Sequence, residues 1–356
     1  MRAGIVGTGF MARTHAEALA RLGIPVGGVV GSRRVDFAPT YSDLAAMLDD
    51  VDVVHICTPN HLHVEQALTA LQAGKHVVCE KPLALSSSQA HQLTTAATEF
   101  GLVNAVCFIS RFYPLCQDAA ARIRTGSVGP VRLVTGTYLQ DWLSKDTDWN
   151  WRLDPAVGGT LRAVGDIGSH WLDLAGYLTG QRVDAVMADL TTAVPVRQRP
   201  SGAVETFASA SGPTEPVDMT TEDAAGVLLR FSGGARGVLT LSQVSPGRKN
   251  HLAIEISAAD ASLAWNTENP EQLWIGHRDE PNQIQQRAAG DYPPGHAQGY
   301  PDAFKALFRA VYADVEAGKP AAAPDYPTFA HGFEQVLIGE AIAESARLGQ
   351  WVPVQR

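Results

Sequence analysis

Long apolar runs are absent from this 356-residue chain, and no stretch approaches the length needed to cross a bilayer as a helix. No membrane partner is expected. Cysteine is scarce: Cys57, Cys79, Cys107 and Cys116 are the only four, and their spacing matches neither a zinc site nor a redox dithiol. They read as reduced, mostly structural thiols. A basic excess is missing too, because 28 Lys and Arg stand against 37 Asp and Glu for a formal charge of −9. That argues against a protein whose affinity comes from neutralising phosphates, so no nucleic-acid partner is expected. His61 and His63 form a bare His-x-His with no third ligand in their vicinity, and no metal is expected. The chain enters an apparent strand within its first few residues, leaving no room for a signal peptide, and cytoplasmic residence is the expectation.

What is present is an ordinary globular composition, 45% hydrophobic and 18% charged, on a chain longer than one core usually supports. The first third alternates β-branched runs at 4–6, 26–30, 53–56, 76–79 and 103–107 with helical patterns at 12–22 and 61–73. Strand and crossover helix in alternation predict an α/β fold with a doubly wound parallel sheet. Residues 31–40 hold two arginines, an aspartate and a proline where a full crossover helix would be expected, so this connection reads as trimmed. Beyond about Ala120, alternating runs at 131–139, 224–231, 235–244 and 252–257 suit a large, mostly antiparallel sheet in a second, α+β domain. Amphipathic stretches at 303–317 and 329–348 read as helices, and 195–216 as a loop or edge. The expected division is 1–120 for a dinucleotide-binding domain and 121–356 for substrate binding and oligomerisation, with the last helices free to return to the first domain. An open antiparallel sheet face suggests a homodimer or homotetramer.

Gly7-Thr8-Gly9-Phe10-Met11-Ala12 follows the first strand and opens a helix, which is the dinucleotide fingerprint in its proper context. Gly7 permits the turn, Gly9 lets backbone approach a pyrophosphate, and Ala12 keeps helix and strand close; the helix amides then face the anion. Phe10 and Met11 belong to the same turn. At the end of the second strand the chain reads Gly31-Ser32-Arg33-Arg34, without the carboxylate that usually holds the adenosine ribose. Ser32, Arg33 and Arg34 suit a 2′-phosphate and make NADP the first choice; NAD remains open if the arginines are solvated loop charges.

The third strand ends in Thr58-Pro59-Asn60 with His63 close behind, and the fourth in Glu80-Lys81-Pro82, at the carboxyl ends where ligands of such sheets bind. A lysine there orients a substrate hydroxyl and stabilises its oxyanion. Gly165-Asp166-Ile167-Gly168-Ser169-His170 places a carboxylate and an imidazole on one helical face, with histidine suited to take a proton near neutral pH. Read alone, Asp166 and His170 are more often a helix cap and a satisfied packing histidine than functional groups.

Together these motifs resemble the glucose-fructose oxidoreductase and inositol dehydrogenase family over nearly the whole chain. The resemblance implies a catalytic trio of Lys81, Asp166 and His170, with Thr58, Pro59, Asn60, His63 and Glu80 on the cofactor side. It implies an NAD(P)-dependent enzyme moving a hydride between a nicotinamide and a secondary alcohol or ketone of a sugar, anhydrosugar or polyol. One departure stands out: many members carry asparagine two residues before the arginine of Arg111-Phe112-Tyr113-Pro114, where this chain has Ile109. Trp142, Trp149, Trp151 and Trp171, interleaved with Asp148, Asn150 and Arg152, form either a sugar-binding wall or a seal at the domain junction. Trp151, Arg152 and Tyr300 are the further substrate-contact candidates. A cyclic non-sugar substrate, or a cofactor sensor without turnover, are the alternative functions.

Overall fold

The computed structural model describes residues 1–202, 212–286, 290–293 and 295–356. Two compact units emerge, one of Met1–Ile109, Asn150–Gly159 and Tyr300–Val336, the other of Ser110–Trp149, Thr160–Gly299 and Leu337–Arg356.

The first unit is built on β1 (Ala3–Val6), β2 (Val26–Val30), β3 (Thr40–Tyr41), β4 (Val53–Ile56), β5 (His76–Cys79) and β6 (Asn104–Val106). Their order is β3-β2-β1-β4-β5-β6 with every pair parallel. Such strands are covered on both faces by their crossover helices, which is why β1 reads as a continuous apolar or small run, β4 departs from one only at His55, and both are buried at every residue. Helices Phe10–Arg21, His63–Gln72 and Ser87–Glu99 make three of the crossovers. Residues 31–39 contain no helix, and only the five-residue helix Leu44–Leu48 follows β3, with the Asp43 side chain accepting from the Ala46 amide. The order reverses between β1 and β4, opening the crevice where doubly wound sheets bind ligands. Helix Tyr300–Glu316 lies on Phe10–Arg21, tied by the Arg21–Asp302 ion pair.

The second unit holds β7 (Val131–Leu139), β8 (Val183–Thr191), β9 (Val196–Pro200), β10 (Thr214–Asp218), β11 (Ala224–Phe231), β12 (Arg236–Ser242), β13 (His251–Ala258), β14 (Ala261–Asn266), β15 (Gln272–His277), β16 (Gln283–Gln286) and β17 (Val352–Pro353). Nine of them form one sheet in the order β16-β15-β14-β13-β7-β12-β11-β8-β17, in which β12 and β7 alone run parallel. Alternation places Val227 and Leu229 on the buried face and Leu228 and Arg230 on the exposed one. The segment 195–216, expected as loop or edge, instead contributes an antiparallel pair of its own, β9 with β10; residues 203–211 of that segment lie outside the described residues. Prolines at 200 and 216 and alternating charge hid the strands from an apolar-periodicity reading. Among the described residues no helix is long and apolar enough to cross a membrane.

Candidate active site

In the first unit the glycine turn joins β1 to the helix Phe10–Arg21. Gly7 has φ +120°, and a Cβ there would stand 2.6 Å from the Cys57 carbonyl oxygen, so both backbone angle and space demand glycine. Gly9 is the opposite case: a Cβ would meet nothing within 4 Å. The space above Gly9 is open. Gly9 is also the helix N-cap, with no side-chain cap and no acidic residue in the first turn, so the first amides face no carboxylate of their own helix. Ala12 is fully buried against the sheet, as close helix–strand approach requires. These features fit the pyrophosphate of a dinucleotide. Phe10 is exposed at the first helical position, and the Met11 thioether receives the Tyr300 hydroxyl at 3.6 Å, which brings Tyr300 to the same turn. Ser32, Arg33 and Arg34 are exposed just beyond β2.

The loops after β4 and β5 are braced against each other. His63 is buried, with Nδ1 2.8 Å from the Pro82 carbonyl and Nε2 2.9 Å from the Thr58 carbonyl. A neutral ring has one N–H and donates to one of these at a time; burial lowers the His63 pKa, while the two carbonyls oppose that shift. Asn60 donates to the Gly158 carbonyl at 2.8 Å, and Thr58 donates to Gln66 Oε1 at 2.6 Å. His63, Asn60 and Thr58 therefore spend these side-chain groups inside the protein, shaping the Thr58-Pro59-Asn60 turn. Glu80 is likewise buried, accepting from His15 Nε2 at 3.0 Å and from the Lys81 amide at 3.3 Å. Lys81 follows directly and precedes a cis peptide to Pro82. Arg152 lies over the Trp151 ring at 4.3 Å and donates to Asn150 Oδ1 at 3.2 Å.

In the second unit, Asp166 sits in a wide turn, Val164–Gly168, that runs into helix Ser169–Thr179, with the Ser169 amide reaching back to the Val164 carbonyl. Such i→i−5 turns recur at functional sites. His170 opens the helix, its ring 6.3 Å from that of Tyr138 on β7. Tyr138 donates to Asn250 Oδ1 at 2.7 Å, and burial, then the Asp166 charge, push its hydroxyl pKa up.

Beneath the turn lies a buried network that the sequence reading missed. Gln243 donates from Nε2 to Asp166 Oδ2 at 2.8 Å and accepts on Oε1 from Arg162 at 3.0 Å. Arg162 pairs with Asp223, which also pairs with Arg197 at 2.7 Å. Glu222 accepts from the amides of Arg162 and Val164 at 3.0 and 2.8 Å, holding the start of the turn. Burial pushes the Glu222 carboxyl pKa up and the two amides pull it back. Two cations and two anions balance, as a buried cluster requires. The adjacent Glu222-Asp223 pair was the only available signal, and nothing in its neighbourhood pointed to residue 162.

The structure decides between the two readings of one tryptophan and adds a partner for Arg111. Trp171 is no part of a sugar wall: it is fully buried, its indole N–H donates to the Ala253 carbonyl at 2.9 Å, and a Cβ on Gly136 would stand 2.5 Å from the indole nitrogen. Arg111, noted only as part of the family pattern, forms a buried pair with Asp173 at 2.7 Å.

Comparison with known proteins accounts for both halves. Residues 1–108 match the profile described as an oxidoreductase family with an NAD-binding Rossmann fold, and 116–264 match the GFO/IDH/MocA C-terminal domain. Levoglucosan dehydrogenase of Pseudarthrobacter phenanthrenivorans is 32% identical, over 99% of this chain and 98% of its own length. D-Glucoside 3-dehydrogenase of Escherichia coli is 35% identical over 40% of each chain. A solved structure of levoglucosan dehydrogenase in complex with NADH and levoglucosan superimposes with a TM-score of 0.89 over 100% of both chains at 28% identity. Fingerprint, sheet order, both domain profiles and a full-length relative agree: this chain is an oxidoreductase of the GFO/IDH/MocA family.

Proposed function

We propose that the protein oxidises a secondary alcohol of a sugar, anhydrosugar or polyol, and catalyses the reverse reduction, with Lys81, Asp166 and His170 as its catalytic residues. The observation that carries the reading is Lys81 at the carboxyl end of β5, in the same unit as an open glycine turn at the β1/β4 reversal. The names of the relatives, dehydrogenases of levoglucosan and of D-glucosides, support the substrate class. A bound nicotinamide supplies the hydride acceptor. The chain's own residues do the rest: His170 takes the hydroxyl proton as the carbonyl forms, and Lys81 and Asp166 hold the reacting oxygen. Trp151, Arg152 and Tyr300 would contact substrate.

For the cofactor, exposed Ser32, Arg33 and Arg34 with no carboxylate among them favour NADP, whereas the relative solved with NADH favours NAD. Titration with NADPH and NADH at matched salt separates the two, and Arg33→Ala with Arg34→Ala should weaken NADPH alone. Met187, Leu228 and Val238 are exposed in register across β8, β11 and β12, which supports self-association through this face; Leu228→Asp should then lower the mass seen by sedimentation. All four cysteines are free thiols, in keeping with a reducing cytoplasm. The central test is a panel of anhydrosugars, glucosides and polyols with NAD⁺ and NADP⁺, read by nicotinamide absorbance. Lys81→Met should lower turnover by orders of magnitude and leave cofactor binding intact; a fully active variant would remove Lys81 from the chemistry.

A further inference from the structure

Behind Lys81 the first unit contains a continuous chain of buried polar groups that the proposed reaction does not use. Tyr312 on helix Tyr300–Glu316 lies 2.9 Å from His55 Nε2; His55, on β4, meets His15 Nδ1 through its own Nδ1 at 3.0 Å; and His15, on helix Phe10–Arg21, meets Glu80 Oε1 through Nε2 at 3.0 Å. His15 and His55 are fully buried and Tyr312 nearly so. The rings of Phe304 and Phe308 stand 5.4 and 4.8 Å from His15 and close the space around it.

The direction of every bond follows from its terminus. An ionised Glu80 only accepts, so His15 carries a proton on Nε2, and in a neutral ring its Nδ1 is then an acceptor. His55 must then carry its proton on Nδ1, which leaves His55 Nε2 to accept from the Tyr312 hydroxyl. Both rings are neutral in this scheme. Burial agrees, holding the His55 pKa well below its ordinary value and that of Tyr312 well above. Cys107 Sγ lies 3.7 Å from His15 Nε2, and the Lys81 amide takes the other carboxylate oxygen of Glu80 at 3.3 Å. His15, Glu80 and Cys107 have ligand atoms within 4.8 Å of one another, but these bonds already use both His15 nitrogens.

We propose that Tyr312, His55 and His15 form a positioning relay that orients the Glu80 carboxylate and, through the Glu80–Lys81 backbone, aims the Lys81 ammonium. The relay links two helices and β4 to the loop after β5, so Lys81 is tied to three elements beyond its own loop. This rests on Lys81 being catalytic, and the experiment separates the two claims. In the full-length protein labelled with ¹⁵N-histidine, at neutral pH, His15 should show the Nε2–H tautomer and His55 the Nδ1–H tautomer. The opposite pair, or an imidazolium at either position, overturns the relay whatever Lys81 does. Kinetically, His15→Phe keeps the ring volume and removes the donor, and should lower kcat about 10- to 100-fold with cofactor Kd unchanged. His15→Gln, whose amide reaches the Nε2 position, should recover most of that loss. Tyr312→Phe deletes one oxygen at the far end and should show a smaller loss in the same direction, which keeps the test in force if His15→Phe does not fold. Wild-type kcat in His15→Phe, or in Tyr312→Phe where His15→Phe does not fold, overturns the positioning role. An active Lys81→Met instead removes the parent reading and leaves the tautomers to decide the relay.

Discussion

Gln243 offers a sharp test of how Asp166 is held. Its amide is wedged between a guanidinium and a carboxylate, so its orientation is forced: Oε1 faces Arg162 at 3.0 Å and Nε2 faces Asp166 Oδ2 at 2.8 Å. Gln243→Leu fills similar space and removes both bonds. A hydrogen bond to a charged group is worth about 1.5–3 kcal/mol. If Asp166 acts on the reacting oxygen, that loss corresponds to roughly a 10- to 150-fold fall in kcat/KM. Gln243→Glu should be worse, since two carboxylates would then face each other. The assay is steady-state oxidation of the best panel substrate, well below the melting temperature, because the Arg162 N–H left without its acceptor also costs about 1–3 kcal/mol of stability. A fall in kcat and kcat/KM together would place the bond in the transition state; a rise in KM alone would place it in ground-state binding. A Gln243→Leu enzyme within twofold of wild type would refute the claim that Gln243 orients a working Asp166.

Three other outcomes are expected. Gly9→Ala should fold with an unchanged melting temperature, since its Cβ meets nothing, yet, if the pyrophosphate occupies that space as proposed, bind dinucleotide at least about tenfold more weakly; equal affinity would remove Gly9 from the cofactor site. Asp173→Leu strands Arg111 in a buried position and should cost about 3–5 kcal/mol in urea unfolding, and a loss under 1 kcal/mol would count the pair as solvated. Burial lowers the pKa of His55 and His63 in the folded protein. The unfolded chain therefore takes up protons first as pH falls through about 6.5, and stability should fall with it, by at most about 1.4 kcal/mol per pH unit for each of them. Urea midpoints that hold steady from pH 7.5 to 5.5 would contradict this.

The division between what was legible and what was not follows the range of the interactions. Strands 26–30, 53–56, 76–79, 131–139 and 224–231 were readable to the residue, because burial on one or both faces imposes a composition that the chain shows locally. The Gly7 turn and the Glu80-Lys81-Pro82 and Asp166-His170 motifs were readable because their residues are sequence neighbours. Trp171 stayed open for the opposite reason, since a tryptophan beside a glycine motif looks the same whether it lines a pocket or fills a core.

Sequence by itself determined the fold class and the dinucleotide turn, which rest on period and short spacing, and its separated motifs carried the resemblance that pointed to the family. Tertiary structure alone decided that Glu80 and His63 brace their loops, that Arg162, Glu222, Asp223 and Gln243 underlie Asp166, and that His15, His55 and Tyr312 stand in line behind Glu80. These groups are brought together from segments tens to hundreds of residues apart in the chain. A buried polar atom must find its partner wherever the fold delivers one, and that choice leaves no local periodicity to read.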